Sequence, residues 1–191
     1  MFDSLVVQFV VLWAVIDPIG SVPVYLTKTI GLPLEDRRKI ALKAVLISAG
    51  ILLFFLVAGQ ALLEAMQIPL TAFQIAGGLV LLLFALTMIF GEGKPEQEMK
   101  MTASLSELAV YPLAVPSIAS PGAMMAIVLL TDNHRFSFDD QLITALIMLS
   151  ILFITYLLFV IANRIQRVIG NTGAAVISRV MGLILAAVAV N

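Results

Sequence analysis

Two dipeptides set a helix-capping side chain directly before proline inside apolar sequence. They are Asp17-Pro18, within Ile16-Asp17-Pro18-Ile19-Gly20-Ser21-Val22-Pro23, and Ser120-Pro121, at the end of Pro112-Leu113-Ala114-Val115-Pro116-Ser117-Ile118-Ala119-Ser120-Pro121-Gly122-Ala123. Asp and Ser are strong N-cap residues, and proline is tolerated in the first helical position because the N–H it lacks would be unpaired there anyway. Each dipeptide therefore predicts that a half helix starts in the middle of an apolar segment, with its free N–H groups and positive dipole end turned inward. Asp17, Pro18, Ile19 and Gly20 form the first such end, and Ser120, Pro121, Gly122 and Ala123 the second. The chemistry of these ends is noncovalent: they can hold the anionic group of a small solute. The plainer alternative is a proline kink whose freed carbonyls are satisfied by Ser or Thr.

Asp17 can do more than cap. It falls about 20 Å into its apolar segment, where an uncompensated carboxylate costs at least about 2.5 kcal/mol. It is read as the cap of the half helix starting at Pro18, with a proton-carrier or cation-ligand role compatible with capping. Arg179, about 12 Å into the last apolar segment, either snorkels to the interface or turns inward toward Asp17 or a substrate carboxylate. Gln74 lies at the position equivalent to Ser178 in a repeat described below, as a helix–helix hydrogen bond or a substrate contact. His134 sits in a short loop with Asp132, Asp139 and Asp140 nearby, a weak metal set expected to be solvated. No metal, cofactor or enzyme signature emerges: HExxH, GxSxG and P-loop spacings are missing. Zero cysteines exclude disulfides and thiolate chemistry.

The elements that must position these groups follow from composition. Charged residues are 12% of the chain and apolar residues 61%, with a mean hydropathy of +1.10, so a lipid bilayer is the expected solvent. The net charge of −1 and the lack of a basic block remove nucleic acid as a partner. Met1-Phe2-Asp3-Ser4 has no Lys or Arg ahead of the first apolar run, the reverse of a secretory n-region, so that run is read as a retained span. Charges divide the sequence into six spans: Ser4 to Thr27, Ile40 to Leu63, Pro69 to Phe90, Leu108 to Leu130, Gln141 to Ala162 and Thr172 to Asn191. Taken as single crossings, they put ten of the eleven Lys and Arg on one side and only Arg135 on the other. By the positive-inside rule the side of Arg135 is external and carries both termini. Turning the first and fourth segments into re-entrant hairpins gives the less polarised split of eight to three.

An internal repeat is detectable. At an offset of 103, Asp17-Pro18 falls on Ser120-Pro121, and at 104, Gly78-Leu79-Val80-Leu81 falls on Gly182-Leu183-Ile184-Leu185. Each half holds an odd number of crossings, so the second half is inserted upside down. The expected fold is an all-α polytopic membrane protein of six transmembrane helices in an inverted 3+3 repeat. Its first and fourth helices are broken near the membrane midplane. It forms a single membrane domain, with repeat one over 1–90, a cytoplasmic loop over 91–107 and repeat two over 108–191. Gly77-Gly78 and Gly182 are expected at close helix contacts. The last span ends with the chain, which leaves room for a short tail.

The Asp17–Pro23 segment, Phe73-Gln74-Ile75-Ala76-Gly77-Gly78, Pro112 through Ala123, and Arg179-Val180-Met181-Gly182-Leu183-Ile184-Leu185 together resemble the MarC family across essentially the whole chain. The resemblance implies a small six-helix protein of the prokaryotic cytoplasmic (inner) membrane, related to a superfamily of amino acid exporters, with some members classed as transporters of small neutral amino acids. Ser120 stands where the family more often carries Gly, which strengthens the cap and narrows the approach to the backbone. The expected function is secondary transport of small solutes, most simply small neutral amino acids, with the substrate carboxylate held between the two half-helix N-termini. A proton or sodium ion is the expected coupling partner, and a homo-oligomer is allowed. The alternative class is a noncatalytic membrane scaffold or lipid-interacting subunit whose broken helices serve packing alone.

Overall fold

The computed structural model describes residues 2–29, 31–90, 105–133 and 135–190 of the 191. These are helical throughout apart from turns and one irregular stretch. Helix α1 spans Phe2–Ile16, α2 Ser21–Lys28, α3 Leu34–Ala65 and α4 Leu70–Phe90. After the single turn α5 (Leu105–Leu108) and the irregular stretch Ala109–Ile118 come α6 (Pro121–Leu130), α7 (Phe138–Val160) and α8 (Ala162–Val190). Of the expected 91–107 loop, residues 91–104 lie outside the described residues, as does His134.

Local chemistry sets the helix ends. Pro33 precedes α3, and Glu35 and Asp36 occupy its first turn, where the helix dipole favours negative charge. At the other end Gln67 takes φ 56°, Ile68 N–H donates to the Leu63 carbonyl and Gln67 N–H to the Glu64 carbonyl, both at 2.9 Å. This is a Schellman termination, with Pro69 following to prevent continuation. A capping box starts α7: the Ser137 hydroxyl accepts from Asp140 N–H, and the Asp140 carboxylate accepts from Ser137 N–H.

Charge alone misplaces several span ends. Helix α3 begins six residues before Ile40, α7 three before Gln141, and α8 ten before Thr172. A helix needs apolar residues only where it meets hydrocarbon, so polar turns such as Asn163-Arg164 extend it past the apolar core. The fourth segment differs more. The stretch expected to be helical from Leu108 up to the break is instead irregular, with Tyr111 and Val115 both extended at φ −128°, ψ 127°. Each of these precedes a proline, Pro112 and Pro116, whose ring disfavours the helical conformation in the residue before it.

Helices α3 and α7 are each long and apolar enough to cross a membrane, and the region Leu105–Leu130 is a third such span if its two halves, bent by 55°, are taken together. The outward faces of the helices are apolar: Phe54 and Val57 on α3 and Phe153 on α7 are exposed, as a lipid-facing surface requires. Inside, α3 and α7 pack on each other and on the broken segments, burying Leu52, Leu113, Ile118, Ile127, Met148 and Ile151. Tyr25 of α2 stacks on Phe159 of α7, with ring centroids 4.5 Å apart, and donates from its hydroxyl to the Arg37 carbonyl of α3 at 2.9 Å.

Helix α4 packs most extensively on α8. A Cβ placed on Gly78 would lie 2.8 Å from the Ala189 carbonyl oxygen, so hydrogen at this position is what lets the two backbones approach. Gly50 on α3 has nothing within 4 Å of such a Cβ. Gly78→Ala is therefore expected to cost about 1–3 kcal/mol through forced separation of α4 and α8. Gly50→Ala should be neutral or slightly stabilising. Thermal unfolding in detergent checks the pair, and equal melting temperatures for the two variants would contradict the close α4–α8 contact.

Candidate functional site

The first break lies between α1 and α2. Asp17 N–H still donates to the Trp13 carbonyl at 3.0 Å, closing α1, but Asp17 itself adopts φ 47° in the left-handed region and turns the chain. Asp tolerates this conformation better than most residues because its short polar side chain bonds locally. Its Oδ1 accepts from Gly20 N–H at 2.9 Å, and its carbonyl accepts from both Ser21 N–H at 3.1 Å and the Ser21 hydroxyl at 2.9 Å. Asp17 thus satisfies an N–H of the turn between the helices, but it is not the N-cap of α2, a position held by Gly20 without a side-chain cap. Regular helix, however, resumes at Ser21, after a turn through Pro18, Ile19 and Gly20, rather than at Pro18. The carboxylate lies over Gly20 so closely that a Cβ on Gly20 would collide with it. Asp17 is only 3% exposed.

The second break is capped by Ser120, in extended backbone, whose hydroxyl accepts from Ala123 N–H at 3.0 Å with Pro121 opening the helix. The same hydroxyl donates to the Val15 carbonyl, 3.1 Å away, at the end of α1. Ser117 donates to the Ser21 hydroxyl at 3.2 Å. The two breaks, 103 residues apart in sequence, are therefore joined directly, by hydrogen bonds that include Ser120–Val15 and Ser117–Ser21. Ser48 of α3 borders the junction, donating to the Ala44 carbonyl at 2.9 Å and approaching the Ala114 carbonyl at 3.4 Å. Ser21, Ser48, Ser117 and Ser120 are all buried. Such burial without partners would be costly, and here the hydroxyls satisfy the carbonyls that the interrupted helices release.

Of the residues singled out from sequence, Asp17, Pro18, Gly20, Ser120, Gly122 and Ala123 are buried, Ile19 is half-buried and Pro121 is exposed. Gln74 lies in α4, with its side chain outside the described residues. Arg179 does not turn to Asp17. It is exposed, as are Val176 and Leu183, three and four positions from it on α8. Of the carboxylates expected to be solvated near the α6–α7 loop, Asp139 and Asp140 are exposed, whereas Asp132 is only 2% exposed, with Gln60 and Arg135 beside it.

Sequence reading missed Ser21, Ser48 and Ser117. Ser21 and Ser117 sit four residues after Asp17 and three before Ser120, spacings that put them on one face with the caps in helical geometry, which was the signal available. Chemically the junction is a buried cluster of one carboxylate, several hydroxyls and main-chain carbonyls. Such oxygens can pass a proton or surround a hard cation, and the helix ends can receive an anion.

The collision at Gly20 is testable by a double-mutant cycle. Gly20→Ala should cost about 1–3 kcal/mol by pushing the carboxylate off its N–H partner. Removing the carboxylate first, in Asp17→Ala, should make the Gly20 substitution markedly cheaper. Strictly additive losses in thermal unfolding would contradict this geometry.

Comparison with known proteins places the chain. The family model described as MarC family integral membrane protein matches residues 2–191. The chain is 36% identical over 189 residues to the UPF0056 membrane protein MJ1677 of Methanocaldococcus jannaschii, covering 97% of this chain and 92% of that protein. It is 34% identical to YvbG of Bacillus subtilis, covering 100% of this chain and 92% of the relative. For YhcE of Escherichia coli the identity is 35%, over 96% of this chain and 86% of the relative. No solved structure matches. With both the family match and these relatives spanning nearly its full length, the chain belongs to the MarC family of integral membrane proteins.

Proposed function

We propose that this protein is a secondary transporter of small solutes, with small neutral amino acids as its substrate class. In this reading six membrane-crossing segments form an inverted 3+3 repeat in the prokaryotic cytoplasmic membrane, with both termini outside. The observation that carries it is the junction of two broken helices at repeat-equivalent positions, bonded through Ser117–Ser21 and Ser120–Val15. The packing supports the repeat because several contacts recur when the halves are exchanged: α1 packs on α6 while α2 packs on 109–118, α3 packs on α7, and α4 packs on α8, although among the described residues the packing of α1 on α8 has no such counterpart between 109–118 and α4. The distribution of Lys and Arg supports the orientation. The work is noncovalent, with no enzymatic step: the two repeats rock about the junction, and the half-helix ends and hydroxyls receive the substrate's carboxylate and amine. Asp17 is assigned the coupling ion, a proton or sodium. The small-amino-acid class rests on the family resemblance, since the relatives' names specify only a membrane protein.

Asp17→Asn separates capping from coupling. Asn keeps an oxygen for Gly20 N–H and ranks with Asp as a cap, but it cannot ionise. In proteoliposomes loaded with unlabelled solute, wild type should accumulate labelled glycine, alanine or serine by counterflow. Asp17→Asn should retain this exchange while losing most net uptake driven by an ion gradient. Near-normal ion-driven uptake would return Asp17 to a purely structural role. Wild-type protein that exchanges none of the three would overturn the substrate class and favour the scaffold reading.

Topology is checked independently in this cysteine-free chain. Ser137→Cys should react with an impermeant thiol reagent from outside and Gln166→Cys from the cytoplasm. External labelling at Gln166→Cys would instead support re-entrant hairpins.

A further inference from the structure

Helix α3 is tied to the second half of the chain at both of its ends. Near its C-terminal end, Gln60 accepts from Asn133 N–H at 2.8 Å and approaches the Asp132 carboxylate, with Nε2 3.5 Å from Oδ1. Near its start, the Arg37 guanidinium donates from Nη1 to the Asn163 side-chain oxygen at 3.3 Å and from Nε to the Leu32 carbonyl at 3.1 Å. At 1.5 Å per residue, Gln60 and Arg37 are about 35 Å apart along one helix, so the two ties lie at opposite ends of the bundle.

The ties are related to each other. Gln60 and Asn163 are separated by 103 residues, the offset that aligns Asp17 with Ser120. Each is a carboxamide at the C-terminal end of its repeat's long helix or just past it. Gln60 reaches the loop before α7, and Asn163 reaches, through Arg37, the loop before α3. The surroundings of each tie are held too: Gln141 donates to the Asn133 side chain of the loop before α7 at 2.7 Å, and the Tyr25 hydroxyl donates to the Arg37 carbonyl in the first turn of α3.

We propose that Gln60 and Asn163 are a matched pair of gate residues, each holding shut one end of the path to the buried junction of the broken helices. This rests on the transporter reading above. Asn133 and Asn163 are exposed, so either tie can exchange its hydrogen bonds for bonds to water at little net cost. The buried Ser117–Ser21 contact cannot do so until an end opens. Beside the Asn163 tie a cavity of about 40 Å³, lined by Tyr25, Arg37, Phe159 and Asn163 among others, has room for water but not for a solute. With both ties made, the junction is closed from both sides. Releasing one at a time gives access from one face at a time.

The test places a single cysteine at Ala119, which is fully buried between the breaks, in the cysteine-free chain. Labelling by an impermeant thiol reagent is then measured separately from each face of oriented membranes. Gln60→Leu should raise labelling several-fold from the face of the α6–α7 loop only, and Asn163→Leu from the face of Arg37 only. Asn163→Asp replaces the amide with a carboxylate for Arg37, a stronger charge-assisted bond, and should reduce labelling from that same face below the parent. A merely structural role would change labelling from both faces alike. Unchanged labelling in folded variants, or equal gains from both faces, would overturn the gate assignment. Labelling requires no substrate, so a gate result stands apart from wild-type counterflow, whose absence would count against the transporter reading instead.

Discussion

A helix interrupted inside an apolar bundle releases carbonyls and N–H groups where no bulk water can take them, and every such group must find a partner within the protein. Two interruptions here are resolved by bringing them together. Ser120 caps its own helix and in the same position donates to the Val15 carbonyl at the end of α1, while Ser117 meets Ser21. Neither break is self-sufficient, so the pair fixes how the first and second halves of the chain face each other.

Much of the remaining packing follows from holding that junction. Helices α3 and α7 pack against the broken segments, and Ser48 adds one more hydroxyl at the Ala114 carbonyl, in a stretch where two prolines prevent regular helix. The Tyr25–Phe159 stack joins α2 to α7, and the Tyr25 hydroxyl fixes the start of α3. Farther from the breaks, α4 and α8 meet through small residues, with no large side chain needed between them at Gly78.

The junction is polar yet closed, a combination with functional meaning. Its hydroxyls and carboxylate cannot be exchanged for apolar side chains without orphaning the backbone groups they satisfy at the breaks. In the transporter reading the same groups exchange protein partners for water and solute when one end opens.

Local signals carried a large part of this in the sequence. The apolar composition fixed the membrane class, and the N-cap followed by proline at Asp17-Pro18 and Ser120-Pro121 marked both breaks, since capping depends on residues within one turn of each other. The prolines at 112 and 116 were equally local evidence for the irregular stretch, though read only as part of a broken helix. Tertiary structure alone decided the partners: that Ser120 bonds to Val15, that Asp132 is buried in its loop, and that Arg179 is exposed instead of facing Asp17. Which carbonyl a hydroxyl satisfies, or whether a long cationic side chain turns in or out, depends on elements about a hundred residues away whose approach only packing sets.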